Sequence, residues 1–304
     1  MLLRPDCIPC IMKMTLDLLR KLPITDDELR AVFRRALELP ALKGDDWRTT
    51  SPLVIESIMR LLTEAAGNPD PFSAVKTEQN ERMAAIYPVM SRWVQNAAAP
   101  LETAVKLAIT GNAVDFMVAG GPSDLAAFIQ NKLTAPLSGA AFSQFSRRLA
   151  VARSVVYFAD NCGEIILDKL LIETLKAFFP QMEVSLVVKS MPALNDVTRK
   201  EALSVGMDTV ASIVENGMDG PVPGTILSRC SKELNHLVDK ADLIISKGGG
   251  NFETLSEERV SLPTDITFLL LSKCVPLNQY FHAGMHDLIL FNHTPGDIVS
   301  IPTK

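Results

Sequence analysis

The sequence predicts an α/β protein: a three-layer α/β/α sandwich with a mostly parallel sheet, preceded by a helical N-terminal region. Three observations predict it. Apolar residues recur at helical spacing up to about residue 150. Beyond that point short β-branched runs alternate with amphipathic segments. One of those runs ends in three consecutive glycines, Gly248 to Gly250, where a helical pattern resumes. Strands alternating with helices require a mostly parallel sheet covered on both faces.

Each element follows from its own pattern. In the first half, Ile11, Met14 and Leu18, then Leu29, Val32, Phe33, Ala36 and Leu37, mark helix faces, with proline-rich breaks between them. In the second half, Ser154–Ala159, Val184–Val188, Thr209–Val214, Leu243–Ser246 and Ile266–Leu271 read as strands. Between them Glu164–Phe179, Val197–Val205, Ile226–Lys240 and Phe252–Val260 read as helices.

Composition narrows the function classes. The chain has 304 residues, 47% hydrophobic and 21% charged, enough apolar material for a full core. Thirty Lys plus Arg against 35 Asp plus Glu leave a formal charge of −5, without the basic excess of a nucleic-acid binder. Apolar runs such as Phe268–Leu271 fall far short of the roughly 20 residues that cross a bilayer. The start, Met1 to Asp6, lacks a signal peptide's basic, apolar and small-residue segments, so a cytoplasmic protein is expected.

Five cysteines, odd in number and mostly scattered, do not make a disulfide framework. Cys7 and Cys10 have the spacing of a redox pair or half a zinc site, and equally of two thiols packing as small hydrophobes. His282 and His286, four apart, would be the partners for a zinc ion.

In open α/β sheets ligands sit beyond the carboxyl ends of the strands, so polar residues there are the candidates. Asp160 and Asn161 follow the first strand; Asp196 follows the second, 36 positions on. Two carboxylates and an amide oxygen make a hard oxygen site for a magnesium-class ion, with positions left for water and substrate. Taken singly, each residue also suits an Asx turn or a helix cap. After the fourth strand come Lys247, Gly248, Gly249, Gly250 and Asn251. Glycine amides at a helix start, with a lysine beside them, suit a phosphate. Tight strand-to-helix packing is the plain alternative. The segment is neither a Walker loop, whose lysine follows its last glycine, nor the dinucleotide fingerprint, whose third glycine would stand at Glu253. Asn112 and Asp115, about one helical turn apart, are further candidates for orienting a substrate.

These residues resemble a known family. Asp160, Asn161 and Glu164, then Asn195, Asp196, Val197 and Thr198, then Lys247, Gly248, Gly250, Asn251 and Glu253, are similar in order and separation to the metal-dependent damage-control phosphatases. Cys7, Pro9 and Cys10 resemble the N-terminal pair of the prokaryotic branch. Pro71, Lys76 and Asn80, with Ala108, Gly111, Asn112, Asp115 and Phe116, resemble its helical-region motifs. The resemblance implies a metal (Mg, Mn, Co or Ni) held by Asp160, Asn161 and Asp196, and hydrolysis of small phosphorylated metabolites. Damaged or side-product sugar phosphates and cofactor precursors are the substrate classes it suggests. It also implies that Lys247 and Asn112 lie near the substrate phosphate. The chain departs from the family at Asn278, Gln279, Tyr280, Phe281, His282 and His286, where an aliphatic, glycine-rich ending is expected.

Residues 1–150 are thus expected to be a helical region contributing to the active-site cleft, and 151–304 an α/β core carrying the metal and phosphate sites. Asp160, Asp196 and Lys247 are the expected catalytic residues, and the attacking group is either activated water or the Asp160 carboxylate. A haloacid-dehalogenase phosphatase needs a second aspartate where Cys162 stands, so that family is not expected. Two other function classes fit parts of the sequence: a non-catalytic binder of phosphometabolites or nucleotides, and a zinc-stabilised interaction module built on Cys7 and Cys10.

Overall fold

The computed structural model describes residues 1–112, 124–258 and 264–295. Helices α1 (Cys7–Leu19), α2 (Asp26–Leu37), α3 (Pro40–Lys43) and α4 (Ser51–Ala66) form the first group. The start of α2 is fixed by a capping box. The Thr25 hydroxyl accepts from the Glu28 amide, and the Glu28 carboxylate accepts from the Thr25 amide. The inward faces of these four helices meet in a core of their own around Leu18, Leu19, Ile58, Met59 and Phe72.

Helices α5 (Ser73–Asn96), α6 (Pro100–Gly111), α7 (Leu125–Leu133) and α8 (Gly139–Val151) behave differently. Met83, Leu107, Ile129 and Phe145 enter the same core as the sheet. The change of texture near residue 150 is therefore a change of secondary structure across which packing continues.

The sheet has β1 (Ser154–Phe158), β2 (Glu183–Val188), β3 (Ser212–Glu215), β4 (Leu243–Lys247), β5 (Ile266–Leu271) and β6 (Leu288–His293), in the order β3-β2-β1-β4-β5-β6. The first five are parallel and β6 pairs antiparallel with β5. Between them run α9 (Glu164–Phe178), α10 (Arg199–Ser204), α11 (Lys232–Lys240), α12 (Gly249–Glu258) and α13 (Val275–Phe281). Alternation along β1 feeds two cores. Val155 and Tyr157 pack with α6 and α9; Val156 and Phe158 pack with α11, α12 and α13. This is the expected α/β/α sandwich with a helical N-terminal region.

Four departures have local causes. The third strand begins at Ser212, because a 3-10 turn at Met207–Thr209 takes the residues ahead of it. The helix expected from Ile226 begins at Lys232, where the Ser231 hydroxyl caps the Leu234 amide. The helix expected from Phe252 begins inside the glycine run. Strand β6 was not expected at all; its apolar residues follow two histidines with left-handed backbone, His282 and His286. Tyr280 and Phe281, part of the departure from the family pattern, pack against Phe252 with ring centroids 5.1 and 4.9 Å apart, so they belong to the core. Among the described residues no helix is long and apolar enough to cross a membrane.

Candidate active site

The chain leaves β1 toward β2 and β3 on one side and returns at β4 toward β5 and β6 on the other. The β1–β4 seam is thus the topological switch point, where the ends of adjacent strands diverge and leave a crevice. A cavity of about 520 Å³ lies there. Asp160, Asn161, Asp196, Gly249 and Gly250 line it, and Cys10, Met14 and Ile55 of α1 and α4 close it from the other side.

Backbone hydrogen bonds bring the two acidic turns together. Asn161 and Asp196 form an isolated antiparallel bridge. The Cys162 amide donates to the Asn195 carbonyl at 2.8 Å, and the Val197 amide to the Asp160 carbonyl at 2.9 Å. Leu194 sits in the same loop with φ +49°, a left-handed conformation costly for a non-glycine residue, and its side chain packs against the N-terminal helices. On the opposite side Gly111 lets α6 come close to α9: a Cβ there would lie 3.0 Å from Glu164 Cγ. That approach sets Asn112 against the turn. Its Nδ2 donates to Asp160 Oδ2 and to Glu164 Oε2, both at 2.9 Å.

The electrostatics favour a cation. Burial, followed by the charges of Glu164 and Asp196, pushes the Asp160 carboxyl well above the usual range, against the pull of Lys273 and Lys189. Burial likewise pushes Asp196 up to about 6, moderated by the Lys189 ammonium 3.5 Å away. Asp196 Oδ2 is buried with no hydrogen-bond partner among the described residues. The Asn161 Nδ2 donates to Asp160 Oδ2 at 2.6 Å, which leaves its amide oxygen as the ligand atom. Crowded, buried carboxylates, one with an oxygen that makes no hydrogen bond and only a long ion pair to Lys189, fit a hard divalent ion, and the donor set of Asp160, Asn161 and Asp196 is all oxygen. Among the described residues no group of three or more His, Cys, Asp and Glu side chains is placed to hold a metal, so such a site depends on the Asn161 amide.

The glycine turn has two distinct uses. Gly248, at φ +78°, lies against Asp160: a Cβ would stand 1.9 Å from Asp160 Oδ2. Gly248→Ala is therefore expected to displace the Asp160 carboxylate and weaken metal binding at least tenfold, by roughly the loss of one charged ligand, as read by calorimetric titration with Mn²⁺. Gly249 and Gly250 begin α12 and line the cavity, where first-turn amides suit an anion.

Two expected residues are placed elsewhere. Lys247 is fully buried, and its ammonium turns away from the cavity to donate to the Ala108 carbonyl at 2.8 Å, Glu164 Oε1 at 2.6 Å and Asp168 Oδ1 at 2.7 Å. All three of its protons are committed, so the reading of Lys247 as a clamp on substrate phosphate is corrected to that of a counterion beneath the acidic turn. Asn251 is also fully buried; its Nδ2 donates to the Ala159 and Lys247 carbonyls, and its Oδ1 accepts from Lys189 and Thr225. It ties the ends of β1 and β4 together and does not reach the cavity. Asp115 lies outside the described residues. Cys7 and Cys10 occupy the first turn of α1, with Cys10 on the cavity wall beside Cys274, and His282 and His286 are exposed.

The cavity also holds residues that sequence reasoning did not assign to it. Lys273, half-buried after β5, lines the cavity from which Lys247 turns away. Glu253 lines the wall with its carboxyl pushed up to about 6 by burial, and its Oε2 has no hydrogen-bond partner among the described residues. Asp168, four positions after Glu164, completes the Lys247 network and accepts from the Tyr157 hydroxyl at 2.7 Å. An acidic i, i+4 pair on one helix and, 79 positions or more later, a lysine closing an apolar strand were the signals available for that network.

Comparison with known proteins agrees with this architecture. The chain is 30% identical over 299 residues to the uncharacterized protein MJ0202 of Methanocaldococcus jannaschii, spanning 95% of this chain and 94% of that one. It is 32% identical to the damage-control phosphatase PH1575 of Pyrococcus horikoshii over 80% of this chain and 83% of the relative. A damage-control phosphatase of Archaeoglobus fulgidus is 29% identical over 76% and 79%. The crystal structure of a DUF89 family protein (PH1575) from Pyrococcus horikoshii superposes with a TM-score of 0.84 at 27% identity, covering 97% of this chain and all of that one. The model of the damage-control phosphatase ARMT1-like domain matches residues 3–289, nearly the whole chain, and the protein belongs to that phosphatase family.

Proposed function

We propose that the protein is a metal-dependent phosphatase that hydrolyses monoesters of small phosphorylated metabolites. One observation carries the reading. Asp160, Asn161 and Asp196, whose buried Oδ2 is met by the Lys189 ammonium only at 3.5 Å, come together in one cavity beside the first-turn amides of α12. Those three residues would hold a divalent ion, which would supply charge neutralisation at a phosphoryl group. The chain's own residues do the rest. Gly249 and Gly250 present amides to phosphoryl oxygens, and Lys273 adds a full positive charge on the same wall. Asn112 holds Asp160 in place. The cavity, at about 520 Å³, suits a sugar phosphate or a cofactor precursor.

The test is phosphate release from a panel of sugar phosphates and cofactor precursors with added Mg²⁺, Mn²⁺, Co²⁺ or Ni²⁺. Turnover that depends on the metal and is lost with chelator is expected. Turnover undiminished by chelator removes the metal, and substrate binding without turnover across the panel makes the protein a binder. Within the same assay Lys273→Met is expected to raise KM about tenfold or more with a smaller effect on kcat, the consequence of losing one charged hydrogen bond to substrate.

A further inference from the structure

On the far side of the acidic turn a second cavity, of about 400 Å³, opens between α5, α9 and the end of α10. One face of α5 supplies Thr77, Asn80, Glu81 and Ala84, and α9 supplies Ile166 and Lys169. Asn80 is 4% exposed and has one amide committed: its Oδ1 accepts from the Gly163 amide at 2.6 Å. Its Nδ2 is buried and has no hydrogen-bond partner among the described residues. A buried donor left unmade is costly, and one carried by a residue that lines a cavity points to an acceptor supplied from there.

Lys169 lines the same space. Its ammonium donates to the Val205 carbonyl at 3.0 Å, which leaves two of its three protons for a ligand. Two donors, one charged, select an anionic oxygen. Glu81, exposed at the mouth, and Glu173, which accepts from the Tyr87 hydroxyl, set a limit on the ligand's charge. Like charge opposes any anion there in proportion to its charge, so a single carboxylate is opposed less than a dianion. Ala84, Ile166 and Val205 give the remaining wall an apolar character suited to a short carbon chain.

We infer that this cavity is a binding site for a small monocarboxylate metabolite, held by Asn80 Nδ2 and the Lys169 ammonium, and coupled to the active site through the Asn80–Gly163 hydrogen bond. The coupling is direct in structure. Gly163 belongs to the turn that carries Asp160 and Asn161, and the neighbouring Gln79 accepts from Asn195 Nδ2 at 3.2 Å, beside Asp196. One turn of α5 thus braces both acidic turns from behind.

Titration of the metal-free ¹⁵N-labelled protein with glycerate tests the inference without reference to phosphatase activity. Saturable shifts of the Asn80 and Gly163 amides are expected in wild type, and saturable binding is expected to persist in Asp196→Ala, whose substitution lies in the front cavity. Lys169→Met is expected to weaken binding about tenfold or more. Ala84→Trp, at an exposed helix position that plugs the mouth, is expected to abolish it with the fold retained. Sulfate, a dianion, is expected to bind more weakly than glycerate. Absence of saturable binding, binding that survives Ala84→Trp, or binding lost in Asp196→Ala would each overturn the assignment.

Discussion

Asp160→Ala is expected to lower metal-dependent phosphate release by about 10³-fold or more while leaving the fold intact. The activity loss follows from taking away a charged ligand at the point where phosphoryl charge is neutralised. Retention of the fold follows from the surroundings. In the metal-free protein the Asp160 carboxyl is buried among the charges of Glu164 and Asp196, so its removal relieves repulsion. The two amides that donate to its Oδ2, from Asn112 and Asn161, both have Glu164 Oε2 within reach at 2.9 and 3.3 Å. The variant's melting temperature without metal should therefore match or exceed that of wild type, and added Mn²⁺ should raise it less. Turnover within about tenfold of wild type would remove Asp160 from the metal site.

Lys247→Met is expected to act on stability. Its ammonium is the shared counterion of two carboxylates that are themselves essentially inaccessible, Glu164 and Asp168. Deleting one partner of a buried ionic cluster leaves uncompensated charge and costs about 3–5 kcal/mol. For a chain of this size that lowers the melting temperature by roughly 10 °C.

The pH dependence has a definite sign. Burial raises the Asp168 carboxyl to about 6 even beside Lys247, so its ionisation already opposes folding as pH rises from the unfolded-state value toward 6. Without the ammonium that opposition grows. The stability gap between wild type and variant should be widest above pH 6 and should narrow below about pH 4, where Asp168 is protonated in both. Melting curves at pH 4 and pH 7 decide the matter. A variant as stable as wild type at pH 7, with a raised KM, would return Lys247 to the substrate.

The sheet was legible because its parallel strands are buried on both faces and so appear as unbroken β-branched runs. Strands β1, β2, β4 and β5 lie within a residue of where the sequence puts them. Strand β6 was illegible for a complementary reason: it is an antiparallel addition whose partner is fixed only by the fold. The turns carrying Asp160, Asn161 and Asp196 were visible as polar residues following apolar strands. What hid the fate of Lys247 is the period of the strand. A residue at the end of β4 faces whichever side its register dictates, and here it faces α9. Lys273 gave no signal, since a lone charge after a strand is ordinary until the walls around it are known, and Glu253 stood in the resembling motif without a role assigned to it.

The seam between β1 and β4 has a consequence for how this protein acquires competence. It joins stretches 88 residues apart, as where the Asp242 carboxylate accepts from the Ser154 amide, and such closures are slow because chain entropy must be surrendered before contacts compensate for it. Asp160, Asn161 and Asp196 all precede β4, the strand that closes the seam, whereas Gly248, which lets Asp160 settle, follows it. A nascent chain that has emerged only as far as α11 thus carries Asp160, Asn161 and Asp196 without the glycine turn, and completion of the centre awaits the last fifth or so of the polypeptide.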